Sequence, residues 1–311
     1  MQENESPLRR FPPLLQSAAK PFLRWYASRP EQFDRYHNKL GPFVNGVYNE
    51  YSEQCRAAYS CPRDDQGVRE QGSILIRDVL QTEVANRLSG TMSDRIEEDP
   101  KSVRESTSKL MRSVHEPITS LGNEVIDIFH NAILDQRIRE YFGCHYRVQW
   151  LSCYRSLPTE DVSHAWLWHS DNVPCETLKV MLHLTDAGEQ QGATQFMSLE
   201  DTRAYYRAGY RGSRTKRLED LAGFASQNGL PHRPFHHDAK AGDVMIFLNN
   251  ALHKAVPPQH GHRDVLTYLL VPNPIPWNEQ LEIDGIAAIE SNPGGYPDNP
   301  HPSMRSQAKA A

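Results

Sequence analysis

Five short segments decide the predicted fold, beginning with WHSDN at residues 168–172. The others are TLKVMLHLTD (177–186), GATQFMS (192–198), GDVMIFL (242–248) and RDVLTYLLV (263–271). Most of them are rich in β-branched and aromatic residues, and Gly, Pro, Asp or Asn residues separate them, which is typical of strands joined by turns. Several short strands of this kind predict an antiparallel barrel or jelly roll.

Two helices are predicted before the strands. Apolar residues recur at helical spacing in LQTEVANRLSGTM (80–92) and again in LGNEVIDIFHNAIL (121–134), with Gly143 beyond the second helix. Because helices come first and strands afterwards, the predicted fold class is α+β, with a jelly-roll core flanked by N-terminal helices.

The chain is expected to divide into three parts. Residues 1–70 form an N-terminal extension, residues 71–275 the jelly-roll domain, and residues 276–311 a C-terminal tail rich in turn-forming residues. A polar insertion at about 201–240 interrupts the domain, and a loop of that length in a compact domain is usually functional, for example as part of a substrate lid.

Composition excludes several classes of protein. The net charge of -5 over 311 residues gives no electrostatic reason to expect a nucleic-acid partner. No run approaches the roughly 18 apolar residues of a transmembrane helix. The five cysteines contain no CxxC pair, which argues against a disulfide framework and fits a reducing compartment, so a cytoplasmic location is expected. Residues 20–35 mix aromatic and basic side chains, and contact with a membrane surface is an alternative to packing on the main domain.

A metal site is predicted around WHSDN. Alternate side chains share one face of a strand, so His169 and Asp171 point in the same direction, which in a barrel can be inward. An imidazole and a carboxylate are two of the three ligands in the facial triad that binds non-haem iron(II). A third ligand, His253, follows the strand GDVMIFL. The predicted ligands, and the predicted catalytic residues, are His169, Asp171 and His253.

A basic residue close to the third ligand indicates what else binds there. Arg263 lies ten residues after His253, at the start of RDVLTYLLV. Its guanidinium can hold a carboxylate with two parallel hydrogen bonds, as a metal-chelating 2-oxo acid with a distal carboxylate requires. Thr267 is four residues further along the same strand face and can add a hydrogen bond to that carboxylate.

Other side chains are weaker candidates. Lys179 can pair with an anion of the cosubstrate or substrate, and Tyr154, with Trp150 on the same strand face, can line the cosubstrate pocket. His260 is the next ligand candidate if His253 lies far from His169. Five basic residues of the insertion form either a solvated loop or a site for an anionic substrate group. They are Arg207, Arg211, Arg214, Lys216 and Arg217.

From about Gly72 to Pro272 the chain resembles the phytanoyl-CoA dioxygenase-like branch of the 2-oxoglutarate/iron(II) oxygenases. The resemblance covers the HSDN segment and the AGDVMIF, LHKAV and RDVLTYLL segments. It implies a double-stranded β-helix, iron(II) as cofactor, and 2-oxoglutarate and O2 as cosubstrates, with Arg263 binding 2-oxoglutarate. It also implies hydroxylation with release of succinate and CO2. Gly192 leads into ATQFMSLED where many members have a PGSH-type stretch, which weakens the transfer of acyl-CoA as substrate.

Three functional hypotheses follow. The first is a hydroxylase of a small polar metabolite or a saccharide-containing substrate, which the basic insertion favours. The second is an acyl or lipid hydroxylase of the same family, which the aromatic N-terminal segment favours. The third is a non-catalytic, cupin-like metal-binding module. Arg263 separates the enzymes from the third hypothesis, because simple metal binding needs no carboxylate clamp.

Overall fold

The computed structural model describes residues 21–22, 25, 29, 47–64, 66–98, 103–105, 111–171, 173, 176–212 and 216–291. The strands are β1 (Ser73–Ile76), β2 (Val103–Glu105), β3 (Met111–Val114), β4 (His145–Ser156), β5 (Leu178–His183), β6 (Gln195–Phe196), β7 (Phe235–His236), β8 (Val244–Phe247), β9 (His253–Lys254) and β10 (Arg263–Asn273). The helices are α1 (Val47–Ala58), α2 (Gln66–Gln71), α3 (Thr82–Glu98), α4 (Pro117–Leu121), α5 (Glu124–Asp127), α6 (Ala132–Phe142), α7 (Leu199–Ala208), α8 (Ala222–Asn228), α9 (Trp277–Asp284) and α10 (Ile286–Glu290).

Two antiparallel sheets form the core. The large sheet has the order β1-β8-β5-β10-β4-β3-β2, and the small sheet has the order β7-β6-β9. At the centre of the large sheet, β10 is buried along its whole length. The predicted α+β class with a jelly-roll core is confirmed.

The two faces of β10 have different surroundings. Leu266, Tyr268 and Leu270 belong to the main buried cluster, which includes residues of α3 and α6. Val265, on the other face, packs in a separate cluster with Phe196 of the small sheet. The helices therefore cover one face of the large sheet, while the other face meets the small sheet and forms the interior of the jelly roll.

The metal segment extends the small sheet, although it is not the regular strand that the sequence predicts. His169 forms an antiparallel bridge with His253, and Trp168 forms one with Leu218. Asp171 continues the extended chain, and its N–H donates to the carbonyl oxygen of Asn249 at 2.9 Å. The alternation of side chains is kept, so His169 and Asp171 still share a face.

The second of the two predicted helices is interrupted. The helix predicted over residues 121–134 is wrong as a single element, because the chain turns at Asn131, whose ψ is 118°. The Asn131 side chain accepts hydrogen bonds from the backbone N–H groups of Ile133 and Leu134 and so caps α6. Asparagine is favoured at this position because its short side chain satisfies the first unpaired N–H groups of a helix.

The insertion and the C-terminal segment also contain helices. In the insertion, α7 and α8 enclose a small apolar cluster that includes Trp168 and Tyr205. In the C-terminal segment, α9 buries Trp277, and the Glu290 carboxylate of α10 accepts hydrogen bonds from the N–H groups of Ile118 and Thr119. These contacts order residues that the turn-rich sequence of the segment does not predict to be helical.

Two expectations concern other parts of the chain. No helix within the described ranges is long and apolar enough to cross a membrane. The suggested membrane-surface segment at residues 20–35 lies almost entirely outside the described residues. Arg214 also lies outside them.

Candidate metal centre

Three predicted ligands come together in the small sheet. Ligand atoms from His169, Asp171 and His253 lie within 4.8 Å of one another. Nε2 of His169 is 3.7 Å from Oδ1 of Asp171, and the two imidazole ring centroids are 4.3 Å apart. Two imidazoles and one carboxylate that can reach a common metal position are the donor set of the facial triad of non-haem iron(II).

Backbone contacts fix both imidazole rings. Nδ1 of His169 lies 2.8 Å from the carbonyl oxygen of Leu167, and Nδ1 of His253 lies 2.8 Å from that of Ala251. A carbonyl oxygen can only accept, so each Nδ1 carries the proton and each Nε2 keeps a lone pair. That tautomer is the one in which Nε2 can coordinate a metal.

The carboxylate of Asp171 has a second neighbour. Nζ of Lys179 donates to its Oδ2 at 2.7 Å, while Oδ1 faces His169. The Lys179 ammonium thus forms a hydrogen bond with Oδ2 of Asp171, while Oδ1 remains directed toward the two imidazoles. The structure places Lys179 beside a predicted ligand, on the interior face of β5.

Electrostatics favour the protonation states that metal binding needs. Burial lowers the pKa of His169 well below its ordinary value and lowers the pKa of His253 to about 4. Burial alone would raise the pKa of Asp171, but the charge and hydrogen bond of Lys179, together with the neighbouring His253 and His169, outweigh burial and hold this pKa well below its usual range. At neutral pH both imidazoles are therefore neutral and the carboxylate is ionised.

The strand register brings the remaining predicted residues to the same interior. Arg263 is paired with Ser156, Val265 with Tyr154, and Thr267 with Ser152 across β10 and β4. Directly paired residues share a face, and Val265 packs toward the small sheet. Arg263, Thr267 and Tyr154 therefore share the face that is directed to the jelly-roll interior.

Buried polar atoms on this face fit an anionic cosubstrate. Arg263 is fully buried, and its Nη1 donates to the carbonyl oxygen of Gly192. Within the described part of the chain, Nε and Nη2 of Arg263, Oγ1 of Thr267 and Nε1 of Trp150 have no hydrogen-bond partner. Buried donors without partners are costly, and the carboxylates of 2-oxoglutarate would supply the missing acceptors. The residues present therefore fit both iron and this cosubstrate.

Two residues of the interior were not found from the sequence. His183 is paired with Val265 and so shares this face, and burial, followed by the charge of Arg263, lowers its pKa to about 3. Gly192 accepts the hydrogen bond from Arg263, and a Cβ there would come within 2.5 Å of the carbonyl oxygen of Val256. Alternation along TLKVMLH, which puts Lys179 and His183 on one face, is the signal that could have identified His183.

Other candidates do not join the site. His260 is exposed in the turn before β10, and the bridge between His169 and His253 leaves it no role as a substitute ligand. Arg207 and Lys216 are exposed on the insertion.

Donor set, interior face and sheet topology together define an iron- and 2-oxoglutarate-dependent oxygenase. The chain belongs to the phytanoyl-CoA dioxygenase (PhyH) family, whose model matches residues 68–259. It is an enzyme of this oxygenase class, with iron as cofactor and 2-oxoglutarate as cosubstrate.

Three solved structures are similar to the chain. The carbocyclase SnoK from nogalamycin biosynthesis has a TM-score of 0.49 at 17% identity, covering 75% of this chain and 90% of that chain. The epimerase SnoN, in complex with Fe3+, alpha ketoglutarate and nogalamycin RO, has a TM-score of 0.46 at 13% identity, covering 72% and 84%. HygX from Streptomyces hygroscopicus, with nickel, 2-oxoglutarate and hygromycin B bound, has a TM-score of 0.46 at 13% identity, covering 67% and 86%. No curated protein matches the chain.

Proposed function

We propose that the protein hydroxylates a small polar metabolite or a saccharide-containing substrate, with His169, Asp171 and His253 as the iron ligands and Arg263 as the 2-oxoglutarate clamp. The observation that carries the proposal is the pairing of a three-ligand cluster with a fully buried arginine on the interior face. A metal-binding module without catalysis has no need for such an arginine.

The chain's own residues have separate tasks in this proposal. His169, Asp171 and His253 would hold the iron through Nε2, a carboxylate oxygen and Nε2. Arg263 and Thr267 would bind the distal carboxylate of 2-oxoglutarate, and the apolar side chains around Val265 keep water from the site. When bound, iron, 2-oxoglutarate and dioxygen would supply the oxidation of a substrate C–H bond to an alcohol, with one oxygen atom of dioxygen entering the alcohol and the other entering the succinate that forms from 2-oxoglutarate with loss of CO2.

Lys179 would act as a positioning residue rather than as a direct ligand of the cosubstrate. Its ammonium occupies Oδ2 of Asp171, so the carboxylate would bind iron through Oδ1 alone. Asp171 would then contribute a single donor atom to the metal, as the carboxylate of a facial triad does.

The test is succinate formation from 2-oxoglutarate by anaerobically iron-loaded protein after admission of air. We expect iron-dependent succinate from the wild type and its loss in His169→Ala. The matched control is His260→Ala, which removes an exposed histidine and should keep the wild-type rate. Equal rates in wild type and His169→Ala would refute the assignment of this ligand.

A second pair of variants tests the clamp. Arg263→Gln should weaken 2-oxoglutarate binding to the metal-loaded protein by at least about tenfold, because a charge-assisted pair with a carboxylate is lost. Metal binding itself should persist. Arg137→Gln, in which an exposed helix arginine is changed, is the control. Unchanged cosubstrate affinity in Arg263→Gln would favour the metal-binding module instead.

A further inference from the structure

The insertion adds one more edge to the small sheet, next to the metal ligands. Trp168 and Leu218 form an antiparallel bridge, in which the N–H of Trp168 donates to the carbonyl oxygen of Leu218 at 2.8 Å. In an antiparallel pair, the residue after one partner lies opposite the residue before the other, and opposed side chains share a face. Arg217 is therefore the cross-strand neighbour of His169.

The same face continues through the third ligand. His169 is bridged to His253 on its other side, so the side chains of Arg217, His169 and His253 form one cross-strand row.

Contacts of the insertion hold Arg217 in this place. Tyr210 donates to the carbonyl oxygen of Trp168 at 2.7 Å and accepts from the N–H of Leu218 at 3.0 Å. One tyrosine hydroxyl thus ties together the two strands that carry Arg217 and His169. Arg217 as a whole is partly exposed, while its Nε is buried.

The positive charges around the centre have different neighbours. Lys179 is paired with Asp171, and Arg263 is buried in the interior, where the cosubstrate carboxylate is proposed to bind. Arg217 adds a third cation in the cross-strand row of the two histidine ligands, next to the place where a divalent metal would bind. A neutral or cationic substrate gains nothing from this field, whereas an oxyanion is attracted by both the guanidinium and the metal.

We propose that Arg217 binds an anionic group of the substrate, a carboxylate or a phosphate, and so restricts the enzyme to substrates that carry such a group. This inference rests on the proposed function and specifies its substrate class. A guanidinium suits the task because its planar donors match both oxyanions with two parallel hydrogen bonds. The anchored group would leave a neighbouring carbon of the substrate close to the iron.

The first test measures binding and needs no turnover. Protein loaded with zinc, which is redox-inert, and with 2-oxoglutarate is titrated with inorganic phosphate and, separately, with acetate. We expect Arg217→Gln to weaken binding of at least one anion by about tenfold or more. The control is Lys216→Gln, which removes the same charge from the adjacent exposed residue and should change the affinity less than about twofold.

The outcomes decide the inference. Equal weakening in Arg217→Gln and Lys216→Gln would show that only the general field of the insertion matters and would overturn it. Failure of the wild type to bind either anion would also overturn it. Arg217→Lys, which keeps the charge but not the planar donors, should retain part of the affinity, and urea unfolding of each variant checks that the fold is intact.

A second test separates this inference from the proposed function. Pairs of metabolites that differ by one anionic group, such as a sugar and its phosphate, are compared for stimulation of iron-dependent succinate formation. Stimulation by the anionic member alone, lost in Arg217→Gln, is expected. Equal stimulation by the neutral member would overturn the substrate class only, whereas no iron-dependent succinate under any condition would count against the oxygenase proposal itself.

Discussion

The hydroxyl of Tyr206, in helix α7 of the insertion, donates a hydrogen bond of 2.7 Å to Oγ of Ser170, the residue between His169 and Asp171. The hydrogen bond is buried and spans 36 positions of the sequence. The insertion therefore holds the segment that carries two of the three proposed iron ligands, and changes in the insertion should be felt at the metal.

Tyr206→Phe tests this connection. The loss of one buried hydrogen bond should lower the free energy of unfolding by about 1 kcal/mol, and the less constrained ligand segment should weaken metal binding by about tenfold. Urea unfolding and a metal titration measure the two effects. Tyr205→Phe is the control, because Tyr205 donates to the carbonyl oxygen of Pro231, away from the ligands. An equal loss of metal affinity in both variants would contradict the prediction.

Gly212→Ala should disturb the centre through the backbone. A Cβ at Gly212 would lie 2.4 Å from Cα of His169, and the φ of Gly212 is +58°. Gly229 has a similar φ of +61° with no atom near the added Cβ, so Gly229→Ala isolates the cost of the backbone conformation, about 1 kcal/mol. We expect Gly212→Ala to cost about 3 kcal/mol or more and to reduce metal retention. Thermal unfolding and metal content after dialysis are the measurements. Similar results for Gly212→Ala and Gly229→Ala would disprove the close approach of Gly212 to His169.

Lys179→Met should destabilise the metal-free protein by roughly 3 kcal/mol, because it leaves the largely buried charge of Asp171 without its ammonium partner. Adding Asp171→Asn should recover much of that loss, and a double-mutant cycle by urea unfolding gives the coupling energy. A bound divalent metal also compensates the carboxylate, so the single variant should be stabilised by zinc. Coupling close to zero would mean that the ion pair is not formed in solution.

The stability of the metal-free protein should fall with pH below about 6.5. Burial lowers the pKa of His183 to about 3, whereas the unfolded chain has an ordinary histidine pKa near 6.5. Between these values the unfolded state binds a proton that the folded state does not, so stability is fully present above pH 6.5 and is lost as the pH falls toward about 3.

The variant His183→Gln isolates this contribution. In urea unfolding at pH 7, 6 and 5, this variant should reduce the slope of the free energy of unfolding against pH by up to about 1.4 kcal/mol per pH unit. The part of the slope that is due to His253 should persist. The matched control is His260→Gln, because His260 is exposed. An unchanged slope in His183→Gln would mean that His183 has the same pKa in the folded and unfolded protein.

Much of the fold could be predicted because its signals are local. Runs of β-branched and aromatic residues between turn residues marked β5, β8 and β10 of the large sheet, and helical spacing around Leu88 and Met92 marked α3. The predicted helix over residues 121–134 was wrong because apolar spacing continues across Asn131, while the backbone there follows the capping hydrogen bonds of that side chain. Periodicity reports burial, and it does not report where a side chain interrupts the helix.

For the candidate site, the sequence by itself determined the kind of chemistry. The alternation of His169 and Asp171 and the order of His253 and Arg263 indicated an iron triad with a carboxylate clamp, since strand geometry alone puts such residues on shared faces. Only the tertiary structure decided which of the scattered cations lie next to the centre. Lys179 reaches Asp171 because both lie on the interior side, and Arg217 stands beside His169 because a bridge joins Leu218 to Trp168. That pairing depends on hydrogen bonds between segments about fifty residues apart, and no local pattern in the chain specifies it.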